Sequence, residues 1–200
     1  VLFTKNFLAI SRIAESIFEG LPSDEAAAFF AAYSAAIESD GKDLSRVVWQ
    51  FLAAELRSLP PVEPEIQAVI DPVIDGMDLL SEGKEWSEED ASAAASAAAS
   101  AAARVASARD ATRAADWAAA RAAASATESA AGWTAGWAAD SATWAIDSAG
   151  WATDRADWAT AKVATRRRQR DLLLKLIAEA PITQSVGVSS VALLVNETHD

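Results

Sequence analysis

Four carboxylates, Asp71, Asp75, Asp78 and Glu82, stand at spacings of four, three and four residues. On an α-helix that spacing puts them on one face. A row of this kind could hold a divalent cation and, through it, activate water for hydrolysis, or it could meet a basic protein surface. The rest of the chain supplies little further equipment for catalysis. The sequence has no Cys, and its one His is His199. That removes thiolate metal sites and Cys nucleophiles, and it leaves a Ser-type triad without a base outside the tail. No Gly-rich phosphate loop is present; Gly132 and Gly136 sit among Ala and Trp, where a turn or close helix approach explains them. We therefore expect no enzyme, no catalytic residues, no metal and no cofactor.

A second group with chemical potential is aromatic. Trp137, Trp144, Trp151 and Trp158 recur every seven residues. Seven residues are nearly two helical turns, so the indoles share one stripe. With Trp at heptad position a, position d holds Asp140, Asp147 and Asp154, which is not the apolar a/d seam of a coiled coil. The stripe instead borders Ala, and each ring can cover the Ala surface of a neighbouring helix while its N–H finds an Asp or Ser acceptor. The alternatives are an exposed indole surface that binds a partner and a face that repeats between subunits. The stretch ADWAAARAAA around Trp117 echoes ADWATAKVA around Trp158, 41 residues later, which suggests related units on adjacent antiparallel helices.

The elements that must position these groups follow from hydrophobic spacing. Residues 4–19 carry Phe7, Leu8, Ile10, Ile13, Ile17 and Phe18 and stop at Gly20. Ser23 is placed to cap a helix from Asp24 through Phe29, Phe30, Tyr33 and Ile37. A third helix is expected over 43–58, ending before Pro60-Pro61, and a fourth over 64–80, interrupted at Asp71-Pro72. Ser87 with Glu88, Glu89 and Asp90 makes a helix start, and from there to Glu179 little except Gly132, Gly136 and Gly150 resists helix. A single rod over that length would reach about 140 Å. A fold-back into long antiparallel helices is expected instead, near residues 132–136 or, failing that, near 107–112. The segment after Pro181 is Val-rich and suits an extended tail.

The fold class expected is thus all-α, a helical bundle with long Ala/Trp-rich antiparallel helices. Its organisation is an acidic multi-helix segment over 1–86, an Ala/Trp-rich helical hairpin over 87–181 and a C-terminal tail over 182–200, sharing one core. Residues 91–164 contain 35 Ala, so bulk must come from Trp or from the first segment.

Charge divides the chain. Of a formal net −12, residues 1–90 carry 6 Lys/Arg against 18 Asp/Glu, and residues 91–200 carry 11 against 11. An acidic surface disfavours nucleic acid and suits a basic partner. The dense basic run Arg166, Arg167, Arg168 and Arg170 spreads around more than half of a helix, which suits a flank paired with the acidic first half better than a nucleic-acid stripe. The opening residues mix Lys5, Arg12 and Glu15 into their apolar pattern, and the Ala blocks are punctuated by Ser, Arg and Asp. We expect no membrane span and a soluble, cytoplasmic protein.

The segment WAADSATWAIDSAGWATDRADWATAKVA, preceded by SAAASAAASAAAR and followed by RRRQRDLLLKLIAEAP, resembles the Ala/Trp-rich heptad region of bacterial and phage-borne immunity proteins associated with polymorphic toxins, over roughly residues 91–181. The resemblance implies an all-helical protein that neutralises a toxin by binding it. The expected function is a noncatalytic interaction protein, of immunity type or a phage accessory factor, that binds a basic protein. Its interaction residues would be Trp137, Trp144, Trp151 and Trp158 together with Asp71, Asp75, Asp78 and Glu82. The alternatives are a homo-oligomeric self-assembly module built on the Ala/Trp face and a metal-dependent hydrolase built on the acidic helical face.

Overall fold

The computed structural model describes residues 2–37, 41–59, 61–107 and 155–182, and these form an all-α bundle. Its helices are α1 (Leu2–Gly20), α2 (Ser23–Ile37), α3 (Val47–Arg57), α4 (Pro64–Ser81), α5 (Glu88–Ser107) and α6 (Arg155–Glu179). Among the described residues none is long and apolar enough to cross a membrane.

Each helix is fixed by a buried stripe. In α1 Ala9, Ile10, Ile13, Ala14 and Ile17 point inward at spacings of one and three. A tight turn at Leu21 and Pro22 reverses the chain, and the Pro22 carbonyl accepts from the Ala26 N–H at 2.8 Å. Helix α2 therefore starts one residue earlier than expected, with Ser23 inside it. Helix α3 is the central element. It buries Val47, Val48, Phe51, Leu52, Ala53, Glu55 and Leu56, leaving few positions to solvent, and it packs against α1, α4 and α6. It begins four residues later than expected because Asp43 is used in a turn: its Oδ1 accepts from the Ser45 N–H at 2.9 Å.

Helix α4 corrects the expected break at Asp71-Pro72, for it runs unbroken through Pro72. Pro72 and Ala68, whose carbonyl loses its helical donor, both lie on the solvent side, while Ile66, Ile70, Val73, Ile74 and Met77 anchor both halves to the core. Water can serve that carbonyl, so the proline costs less here than in a buried interior. Helix α5 is capped as expected: Ser87 Oγ accepts from the Asp90 N–H at 3.0 Å and donates to Asp90 Oδ2 at 2.7 Å. Ala91, Ala94, Ala98 and Ala101 form its inner stripe, and small side chains let it lie close on α4.

Helix α6 lies against α1, α2 and α3. Its inner stripe is Arg166, Gln169, Leu173 and Ile177, and Ala180 is buried just past its end. Its C-terminus is tied down by Lys42, whose Nζ donates to the carbonyls of Ile177 (2.8 Å) and Ala178 (3.1 Å), a cation where the helix dipole is negative. Next to it Lys42 and Ile182 form an isolated antiparallel bridge, and the Asp43 N–H donates to the Pro181 carbonyl at 2.8 Å. One hydrophobic cluster contains residues of all six helices. Among the described residues α5 lies on α4, and α6 on α1, α2 and α3. The fold-back at 132–136 falls outside the described residues, and so do Trp117, Trp137, Trp144, Trp151, the Asp row beside them and the tail beyond Ile182. Trp158 lies within α6.

Candidate functional site

The acidic row is carried by the outer face of α4. Asp71 accepts from Gln67 Nε2 at 2.6 Å, one turn away on the same helix. Asp75 is exposed. Asp78 pairs with Arg57, which reaches across from the end of α3. Glu82, just past the helix, pairs with Lys84 at 2.5 Å. The four side chains share a face, as the spacing predicts, but they do not converge. Eleven residues of helix span about 16 Å, and two of the four engage cations of the chain. Among the described residues no group of three or more His, Asp or Glu is placed to hold a metal ion. The row continues through the turn with Glu85, Glu88, Glu89 and Asp90, all exposed, the last three in the first turn of α5 where the helix dipole favours them.

The join between α4 and α5 is held by Trp86. Its indole lies against α4 at Gly76, where a Cβ would overlap the ring. Gly83, in the turn itself, takes φ +77°, a left-handed conformation that glycine adopts without steric cost.

The basic run of α6 lies along the flank that faces α2 and α3, with Arg166 buried and Arg167, Arg168 and Arg170 partly exposed. Arg167 grips Glu25 of α2 with Nε at 2.9 and 3.1 Å and a terminal nitrogen at 2.5 Å, and Arg170 adds a contact to the same carboxylate at 3.1 Å. Arg170 also donates to Asp171 at 2.8 Å. Arg168 and Gln169 donate to Glu55 Oε2 of α3 at 3.0 and 2.8 Å, and Arg166 donates to the Gln169 amide oxygen at 2.9 Å. Pairing with the acidic first half is what the sequence predicts, but a wholly solvated flank is not what is found: Arg166 and Gln169 are buried. Arg166 runs so close over Gly20 that a Cβ there would lie 2.5 Å from its Nε. Helix α1 ends at Gly20, as expected, and the close approach of Arg166 is a second reason for a glycine there.

Two carboxylates in this array are shifted in opposite directions. Hydrogen bonding by Arg167, helped by its charge and by Arg170, holds Glu25 below its ordinary value of 4.5. Burial pushes Glu55 up, against the opposing pull of Arg168 and Gln169, and its Oε1 has no hydrogen-bond partner. For Glu25 the lowered value means that its stabilisation is present above the ordinary carboxylate range and is lost as the pH falls through the folded-state value. Glu25→Gln should therefore flatten the acid limb of a urea-midpoint profile run from neutrality to about pH 3 while lowering its neutral plateau. An unchanged acid limb would show that the Arg167 and Arg170 contacts do not hold α6 to α2.

Sequence spacing did not single out Glu55, Gln169, Trp86 or Gly76. The signal for Gln169 was present, since 166, 169, 173, 177 and 180 are spaced by three and four. Two polar residues at the head of that stripe conceal it from a search for apolar periodicity. Phe18 and Phe30, part of the apolar pattern of the first two helices, form an exposed pair; their ring centroids stand 6.4 Å apart, edge to face, on the outside of α1 and α2.

In comparisons with known proteins the chain matches no family model, no curated protein and no solved structure.

Proposed function

We propose that the protein is a noncatalytic interaction protein that binds a basic protein partner, with the acidic surface of α4 and the start of α5 as a principal contact. The observation that carries this reading is the separation of charge. Arg167, Arg168 and Arg170 are turned onto Glu25 and Glu55 of the same chain, while Asp71, Asp75, Glu85, Glu88, Glu89 and Asp90 face solvent. Even with Arg57 and Lys84 paired within it, this surface is predominantly acidic, and such a surface steers a basic partner and disfavours nucleic acid. An immunity-type or phage accessory role fits this behaviour and accords with the Ala/Trp resemblance. The hydrolase alternative gains nothing from the α4 row, whose carboxylates are strung along the helix.

The test compares the immobilised chain with a variant carrying Asp71→Asn, Asp75→Asn, Glu85→Gln and Glu89→Gln, each exposed to a lysate of the source cell. The wild type should retain a basic protein at low salt and release it at high salt, and the variant should retain much less. Recovery of no protein at low salt, or equal recovery by both, would overturn the reading.

A further inference from the structure

The one pair of large aromatic side chains that the described fold leaves in water is Phe18 and Phe30, 42% and 62% exposed. Isolated exposed apolar residues are ordinary. These two differ in being held against each other by two helices, at 6.4 Å with an interplanar angle of 72°. The tight turn at Leu21 and Pro22 fixes one end of the α1–α2 pair, and Ser11 and Tyr33 meet at 3.4 Å farther along it. The rings therefore sit on a preformed ridge, with exposed Ala27 and Ala31 on the flank of α2 leaving room for another backbone to approach.

The charges around the rings select the occupant. On α1, Glu15 and Glu19 lie one turn apart beside Phe18, and on α2 Asp24 stands exposed; Arg12, paired with Glu15 at 2.9 Å, and Arg167, whose charge also meets Asp24, are cations of this rim, and Glu19 leaves it net acidic. A second copy docked symmetrically would set these acids against their own duplicates. An anionic bilayer would be repelled in the same way. A partner helix with apolar residues on one face and Lys or Arg at its margins would cover both rings and neutralise the acids. We propose that the Phe18–Phe30 ridge is the anchoring point for a basic amphipathic helix of the protein partner. This inference rests on the reading of the protein as a binder of basic proteins, and it places the apolar part of that contact on the α1–α2 face.

The test measures fluorescence anisotropy of a labelled Leu/Lys amphipathic helical peptide, with a Leu/Glu peptide of the same apolar face as control, on the full chain. The Leu/Lys peptide should bind at low salt and the Leu/Glu peptide should not. Phe30→Ala, and Phe18→Ala with Phe30→Ala, should weaken binding by about tenfold or more, as removal of an aromatic anchor does. Thermal melts should match the wild type for Phe30→Ala, and Phe30→Lys serves as a second probe if the double variant unfolds. Binding insensitive to Phe30, or equal binding of the Leu/Glu peptide, would overturn the inference. Loss of binding only in the α4 variant would overturn this site while leaving the basic-partner reading intact, because the lysate experiment judges that reading separately. A wild-type dimer that Phe30→Ala dissociates would also overturn it, by making a second copy the occupant.

Discussion

Glu55→Ala should cost about 2 to 3 kcal/mol of stability, whereas Glu55→Gln should cost less than about 1 kcal/mol at neutral pH. The alanine leaves a cavity and takes the acceptor away from Gln169, a buried side chain whose amide oxygen is already used by Arg166. The glutamine keeps the shape and an acceptor. It loses attraction to Arg168, which is 41% exposed and partly screened by water, and it avoids burying a charge. The dependence on pH gives a second check. Because burial raises the pKa of Glu55, the folded state binds a proton there more readily than the unfolded one. The group's charge thus costs most above its folded-state pKa, and that cost is relieved as the pH falls through it. Relative to Glu55→Gln, the wild type should gain stability on mild acidification, opposite in sign to the behaviour of Glu25. Urea unfolding of the three proteins across that range decides the matter. If glutamine is as damaging as alanine, the charge is essential and the burial argument is wrong.

A second large effect is expected at Gly76, and its sign should depend on Trp86. Within a helix, Gly→Ala ordinarily stabilises by about 1 kcal/mol through propensity. Here the added methyl would overlap the indole, and displacing a half-buried tryptophan at the α4–α5 join should turn that gain into a net loss of about 1 to 2 kcal/mol. In a Trp86→Ala background the obstruction is gone, and Gly76→Ala should become stabilising. A double-mutant cycle reads this coupling directly. If Gly76→Ala stabilises the wild type, or remains destabilising without Trp86, the ring does not rest on that backbone.

The N-terminal helices were legible because each displays its buried face as an apolar series: Ile10, Ile13 and Ile17 in α1, Ile66, Ile70, Val73 and Met77 in α4. Ser87 announced the start of α5 by local chemistry alone. What local chemistry cannot show is which residues far apart in the chain will meet. Gly20 was legible as the end of α1, but its second role, making room for Arg166, comes from a residue far along the chain. Glu55 is one acid among many until Arg168 and Gln169 cover it, 113 and 114 residues away. Pro72 looked like a break because its exposure, which makes it tolerable, depends on how α4 packs. The acidic row itself was legible as a face. Its lack of convergence was not, because a single helix sets angular position but not which neighbours approach.

The inner stripe of α6 also bears on how the chain can be made. Leu173 and Ile177 are fully buried against helices that precede them by more than a hundred residues. As the polypeptide leaves the ribosome, α1 to α3 emerge with their α6-facing side uncovered and must wait for about a hundred further residues before it is filled. A long separation in sequence adds to the entropy of closure only logarithmically, so it costs equilibrium stability little. It weighs instead on the folding rate, since contacts so distant in sequence raise the contact order. Completion of the core therefore follows the synthesis of α6, and until then the α6-facing side of α1 to α3 stays open.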